Sequence, residues 1–277
     1  MKSKVILLLT LSISSYLYGS PFPKSCLKLG NDVDTILLLS VANPDLSECT
    51  KIAIENGADV DHCVDGNCPV VIAAKNNNLN GMNLLIEANV NVNQFGSDPK
   101  SALHYLVENQ MTSTISRIGY GSYPVDISLT DKESQRNVLN HAAYNNYLKI
   151  FVILASIPGA KQIASSPDKE GKTPLYYATF HGNHGISREI KALSEINVNC
   201  SELESLTLQR NQFDEQRIER ARKAMNDAID VEKKRELRRK FHKIRYEARA
   251  SQRGRIAILE EFECKAQHEI LGQLIES

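Results

Sequence analysis

Apolar residues gather along the chain in short runs, and each run predicts one helix. Ile36-Leu37-Leu38-Leu39, Leu84-Leu85-Ile86 and Ile150-Phe151-Val152-Ile153-Leu154 are the clearest. Turn signals separate the runs, among them Asp65-Gly66-Asn67 and Asp168-Lys169-Glu170-Gly171. From about Ser201 the rhythm changes, and turn formers become sparse up to Ser251. That stretch predicts a long helix to about Ala250, a break near Ser251-Gln252-Arg253-Gly254, and a shorter last helix. Ile256, Leu259, Phe262, Ala266, Ile270 and Leu274 fall at three- or four-residue steps along that last helix. Such an apolar stripe needs a cover, most simply the preceding helix in a hairpin.

The runs before Ser201 belong to a repeat. One unit reads Asp168-x-x-Gly171-x-Thr173-Pro174-Leu175-x-x-Ala178 and closes at Gly182-Asn183. The slot of Thr173 recurs at Asn137, Ser101 and Cys68, at spacings of 36, 36 and 33 residues. Units also end alike: Asn56-Gly57-Ala58-Asp59-Val60-Asp61 returns as Ala88-Asn89-Val90-Asn91-Val92-Asn93. Thr173, Asn137 and Ser101 can each cap a helix with a side-chain oxygen, whereas Cys68 is a poor cap. Pro174 and Pro69 suit a first helical position, where no N–H is needed. Gly182, Asn77 and Asn146 supply the left-handed residue between two helices.

This pattern resembles the ankyrin repeat, a turn followed by two antiparallel helices. The resemblance implies an all-α fold, an ankyrin-repeat solenoid of about five helix-turn-helix units over residues 32–200. The units run about 32–62, 65–93, 98–128, 131–164 and 168–199, followed by a C-terminal basic helical region, 201–277, hairpin or coiled-coil-like. The first unit lacks the helix-start motif, as a capping repeat does. In the third, Gly119 and Gly121 predict a short or shifted second helix. By resemblance the array is a non-catalytic scaffold for a protein partner, with no cofactor and no small-molecule substrate. Its turn tips would present His62, Asp65, Asn67, Gln94, Phe95, Asp98, Asp131, Lys132, Asp168, Lys169 and Lys172.

Gly171-Lys172-Thr173 also has the look of the end of a phosphate-binding loop. That loop needs a glycine five positions before Gly171, where Ser166 stands, and Pro174 follows Thr173 directly. The nucleotide reading fails. No serine-hydrolase, zinc-protease or cysteine–histidine motif appears either, and His104 occupies a slot that ties a turn rather than one that does chemistry. His62 beside Cys63 has no second ligand cluster, so no metal site is expected.

The first residues, MKSKVILLLTLSISSYLYGSPFP, change the compartment. Lys2 and Lys4 precede an apolar run from Val5 to Ile13, then small residues around Gly19-Ser20. This reads as a bacterial-type secretory signal over 1–19, cleaved after Gly19, with 20–31 a linker. Export would be to the periplasm or outside the cell; an uncleaved N-terminal anchor is the alternative. Export makes disulfides permissible, and Cys63 and Cys68, bracketing a turn, are candidates for a local bridge; a pair of small buried thiols is the alternative.

Charge is uneven beneath a balanced total of 33 basic and 33 acidic residues. Residues 21–200 carry 14 basic and 18 acidic, whereas Lys233–Arg255 carries 11 basic and two acidic. Lys233, Lys234, Arg235, Arg238, Arg239, Lys240, Lys243 and Arg245 form a basic surface beside an apolar face of Leu237, Phe241 and Ile244. That surface suits anionic lipid, nucleic acid or an acidic partner, the rival reading being a solvated helix face.

Overall fold

A computed structural model describes residues 23–30, 32–121, 123–193, 198–228 and 230–264. The fold is all-α, a repeat solenoid with a C-terminal helical region, and the described residues form only two isolated β-bridges. The 1–19 leader, the first residues of the linker and the end of the apolar stripe from Ala266 onward lie outside the described residues. The chain divides into two compact units, residues 1–114 with 123–125, and 115–122 with 126–277.

In the first unit a four-residue helix α1 (Lys24–Leu27) precedes α2 (Val33–Ser40) and α3 (Ser47–Glu55). The expected linker is therefore partly helical, and Cys26 is bonded to Cys49 of α3. Next come α4 (Pro69–Lys75), α5 (Leu79–Glu87), α6 (Ala102–Glu108) and α7 (Thr112–Tyr120), the last beginning here and continuing into the second unit. α4 packs on α5 within its repeat and on α6 across repeats, burying Val70, Ala73, Leu85, Leu103 and Leu106. Helices of seven to nine residues lie below the ~12–15 that hold alone in water, so packing across repeats sustains them.

The second unit holds α8 (Val138–Tyr144), α9 (Leu148–Ala155), a short α10 (Ala160–Ile163), α11 (Pro174–His181) and α12 (His184–Leu193). α8 packs on α11 and α9 on α12, around buried Leu139, Ala142, Phe151, Leu154, Ala178 and Ile186. The small residues Ala142 and Ala178 permit that approach.

Caps and turns largely follow the sequence. Thr173 Oγ1 accepts from Tyr176 N at 3.2 Å, and Asn137 and Asn140 form a reciprocal capping box at 2.9 and 3.2 Å. Asn77, Asn146 and Gly182 all adopt positive φ between paired helices, and Gln110 does so in the third repeat. Ser101 departs from expectation. Its hydroxyl lies 2.7 Å from His104 Nδ1 and makes no bond to the helix amides, because the buried imidazole three residues on competes for it. The third repeat departs too. α7 spans nine residues, as long as α3 and α5, and Gly119 sits inside it because a Cβ there would press within 3.1 Å of Ile157.

The C-terminal region corrects the predicted break. α13 (Cys200–Asp227) ends at Ala228 in extended backbone, and Asp230 caps α14 (Val231–Glu261) by accepting from Lys233 N at 2.7 Å. α14 runs unbroken through Gly254. That glycine is needed for contact: Gly182 and Gly254 cross so closely that a Cβ on Gly254 would overlap the Gly182 carbonyl. The two long helices form an antiparallel hairpin around Ile218, Phe241 and Ala248, flanked by Met225 and Ile244.

Candidate interaction surfaces

The first tip is a closed β-turn. Val64 and Asn67 exchange both backbone hydrogen bonds at 3.1 and 2.8 Å, and Asp65 and Gly66 both have positive φ. Cys63 and Cys68 are bonded across its base, so neither is a free thiol. His62, Asp65 and Asn67 are exposed there. Gln94, Phe95 and Asp98 are half-buried and partly committed within the protein. Gln94 Nε2 donates to Asp61 O at 2.9 Å, Phe95 stands tilted against His104, and Asp98 pairs with Lys75 at 2.6 Å. The hydrogen bond from Lys75 holds the Asp98 carboxyl below the usual carboxylate range.

The tips in the second unit correct part of the expectation. Lys132 and Lys169 are exposed and Lys172 half-buried beside Glu170, but Asp131 and Asp168 are buried and face inward. Asp131 accepts from the amides of Glu133 and Ser134 and from the Ser134 hydroxyl, and lies 2.8 Å from His141 Nε2. Burial opposes its ionisation, yet the hydrogen bonds from Ser134 and His141 outweigh burial and hold its carboxyl well below the usual range. Asp168 accepts from the Glu170 and Lys172 amides, from Tyr177 Oη at 2.6 Å and from Arg136 Nε at 3.0 Å. An aspartate opening the turn has to satisfy that turn's own amides, so neither side chain is left for a partner.

Residues that tip-based reasoning passed over make a better contact set. The Arg136 guanidinium lies 4.0 Å from the Tyr144 ring centroid, and Tyr144, 45% exposed, stands edge-on to Tyr177. Arg210 of α13 stacks 4.0 Å over Phe180 and 4.8 Å from Phe213, itself 45% exposed. Tyr, Phe and Arg held by stacking carry large contact area at little entropic cost, which is the composition of interface cores. The signal was present in the sequence: Tyr144, Tyr176 and Phe180 lie on first helices.

The hairpin is docked at its base and free beyond it. Arg255, fully buried, pairs with Asp214, donates from Nε to Asn211 Oδ1 at 2.8 Å and from Nη1 to Ser251 Oγ at 2.6 Å. Burial pushes its guanidinium pKa down, and the Asp214 bond works against that. Ser251 Oγ donates to His181 O at 2.7 Å, His184 Nε2 lies 3.2 Å from Glu261, and Cys200 is bonded to Cys264. Farther along, Lys233, Lys234, Arg235, Arg238, Arg239, Lys240, Lys243 and Arg245 are all exposed, while Leu237 and Ile244 are half-buried and Phe241 buried against α13.

Among the described residues no group of three His, Cys, Asp or Glu could hold a metal ion. A cleft of about 150 Å³ between the Gly171 turn and the start of α13, lined in part by Thr173, Tyr176 and Glu202, is small beside the ~300–1,000 Å³ of ligand pockets. Residues 103–201 match the family described as ankyrin repeats (3 copies). Residues 103–201 are therefore ankyrin repeats. Such repeats generally mediate binding of protein partners and are typically non-enzymatic. A search of the curated proteins finds no match.

Proposed function

We propose that this protein is an exported, non-catalytic scaffold that binds a protein partner through its ankyrin repeats, as an envelope protein or a secreted effector. The observation that carries the binding reading is the stacked aromatic–arginine set on the last two repeats and α13, with Tyr144 and Phe213 each 45% exposed. Export is supported by the leader-like residues 1–19 and by the cysteines. All six are paired, as Cys26–Cys49, Cys63–Cys68 and Cys200–Cys264, a state that persists in an oxidising compartment and is rare in the cytosol. No helix of the described residues is long and apolar enough to cross a membrane; anchoring by the N-terminal segment is the competing location.

The test is capture by the full-length protein from the cell of origin and from any host. Partner proteins are expected on the wild type and on Lys169→Ala, but not on Tyr144→Ala/Phe213→Ala, whose circular dichroism should be unchanged. Equal recovery on that double variant would refute the assignment of the surface. A second reading, binding of anionic lipid or nucleic acid through the basic helix, is favoured by the outward exposure of its cations.

A further inference from the structure

α14 turns Phe241 and Ala248 toward α13, so residues on the opposite side of the helix face solvent. At 3.6 residues per turn, Arg235, Arg239, His242, Tyr246 and Arg253 fall in one stripe along that side. All five are exposed, Tyr246 at 73%. The stripe is about 27 Å long at 1.5 Å per residue. The two acidic residues of Lys233–Arg255 lie off it: Glu236 pairs with Lys240 at 2.6 Å, and Glu247 with Arg217 of α13 at 3.4 Å.

We propose that this stripe docks the protein, α14 lying flat, on an anionic lipid bilayer. Geometry favours a plane over a nucleic acid. Cations projecting from one side of an unbroken helix reach a flat surface together, whereas a duplex curves away from them. Single strands are held on rows of stacking aromatics, and this face offers only Tyr246 and His242 as rings. The hairpin base is tied to the last repeat by the Ser251–His181 and His184–Glu261 contacts, and α14 is held on α13 by the Arg255–Asp214 pair and the Cys200–Cys264 bond, so α14 is fixed before it meets the surface. Charge agrees: residues 21–200 carry 14 basic and 18 acidic side chains, and the positive excess is concentrated in Lys233–Arg255, which draws that part of α14 toward an anionic layer. Tyr246, ring and hydroxyl, suits the headgroup level. The face has no apolar run to insert, so the attachment is electrostatic and reversible by salt. This inference rests on the second reading above, of the basic helix as a lipid surface, and is independent of partner binding by the repeats.

The experiment sediments the full-length protein with vesicles of phosphatidylcholine alone and with about 30% phosphatidylserine, in about 50 and 500 mM salt. Reading the anionic against the neutral vesicles removes any contribution from the apolar N-terminal segment. Excess binding to anionic vesicles at low salt, lost at high salt, is expected. Arg235→Gln/Arg239→Gln/Arg253→Gln should lower partitioning about a hundred-fold, at roughly five-fold per cation beside such a surface. Lys149→Gln/Lys161→Gln/Arg188→Gln makes the same charge change at exposed positions on the repeats and should alter it less than about three-fold. The proposal is overturned if anionic and neutral vesicles bind alike, if both triple variants lose binding equally, or if single-stranded DNA binds while vesicles do not.

Discussion

Replacing Gly254 by alanine separates two accounts of the C-terminal region. Within an exposed helix, glycine to alanine stabilises by about 1 kcal/mol, because alanine has less freedom to lose. A glycine that merely broke the helix would therefore give a more stable variant. In the structure the added methyl would overlap the Gly182 carbonyl, and both partners are backbone, so no rotamer change relieves it. The hairpin must shift from the last repeat, straining or breaking the Ser251–His181 bond at 2.7 Å. Overpacking of this kind costs about 1–3 kcal/mol and a lost hydrogen bond about 1 more. After subtracting the helical gain, a net loss of about 1–3 kcal/mol is expected. For a chain of this size that is a fall in Tm of roughly 3–10 °C by circular dichroism. Ala250→Gly, at an exposed neighbouring position, should lower stability by only about 1 kcal/mol. A Tm that rises in Gly254→Ala would refute the close crossing.

Three further outcomes follow from the same contacts. Asp214→Ala leaves Arg255 buried without its ion pair and should cost about 3–5 kcal/mol in urea unfolding, whereas Asp214→Leu/Arg255→Met should be nearly neutral. Asp131 has a folded-state pKa below its unfolded value, so its contribution is complete above about pH 4 and is lost as pH falls further; Asp131→Asn should flatten that acid limb. Cys200→Ser/Cys264→Ser opens a loop of 64 residues and should destabilise by about 4 kcal/mol on the chain-entropy estimate, read from the urea midpoint of the oxidised wild type and the variant.

Much of the repeat region is legible from its residues. Thr173, Pro174 and Asn137 start helices, and Asn77, Asn146 and Gly182 turn the chain, because caps and positive φ depend on local chemistry. What escaped was set by distant partners. Gly254 reads as a break until Gly182 is placed against it. The true break was marked by Asp227 and Asp230, which polar surroundings hide and which only the cap on Lys233 distinguishes. Cys26–Cys49 and Cys200–Cys264 join residues 23 and 64 positions apart across whole helices, whereas Cys63 and Cys68, five apart, bracket one turn. Asp131 and Asp168 looked like tip residues because turns are usually exposed, yet a turn's own amides claim an aspartate that opens it. Docking also changes how the tail should be probed. A fragment ending at residue 200 would strip Cys200 of its partner and uncover α11 and α12, so point variants on the full chain are the sounder test.

The proposal is of an exported, oxidised repeat scaffold whose C-terminal hairpin is closed by a disulfide between its two ends. Mass spectrometry of the protein purified from its own cells, digested without reduction, tests this most directly. The prediction is an N-terminus at Ser20 and three linked peptide pairs joining Cys26 to Cys49, Cys63 to Cys68 and Cys200 to Cys264. Recovery of the chain from Met1 with free thiols at these positions would contradict it.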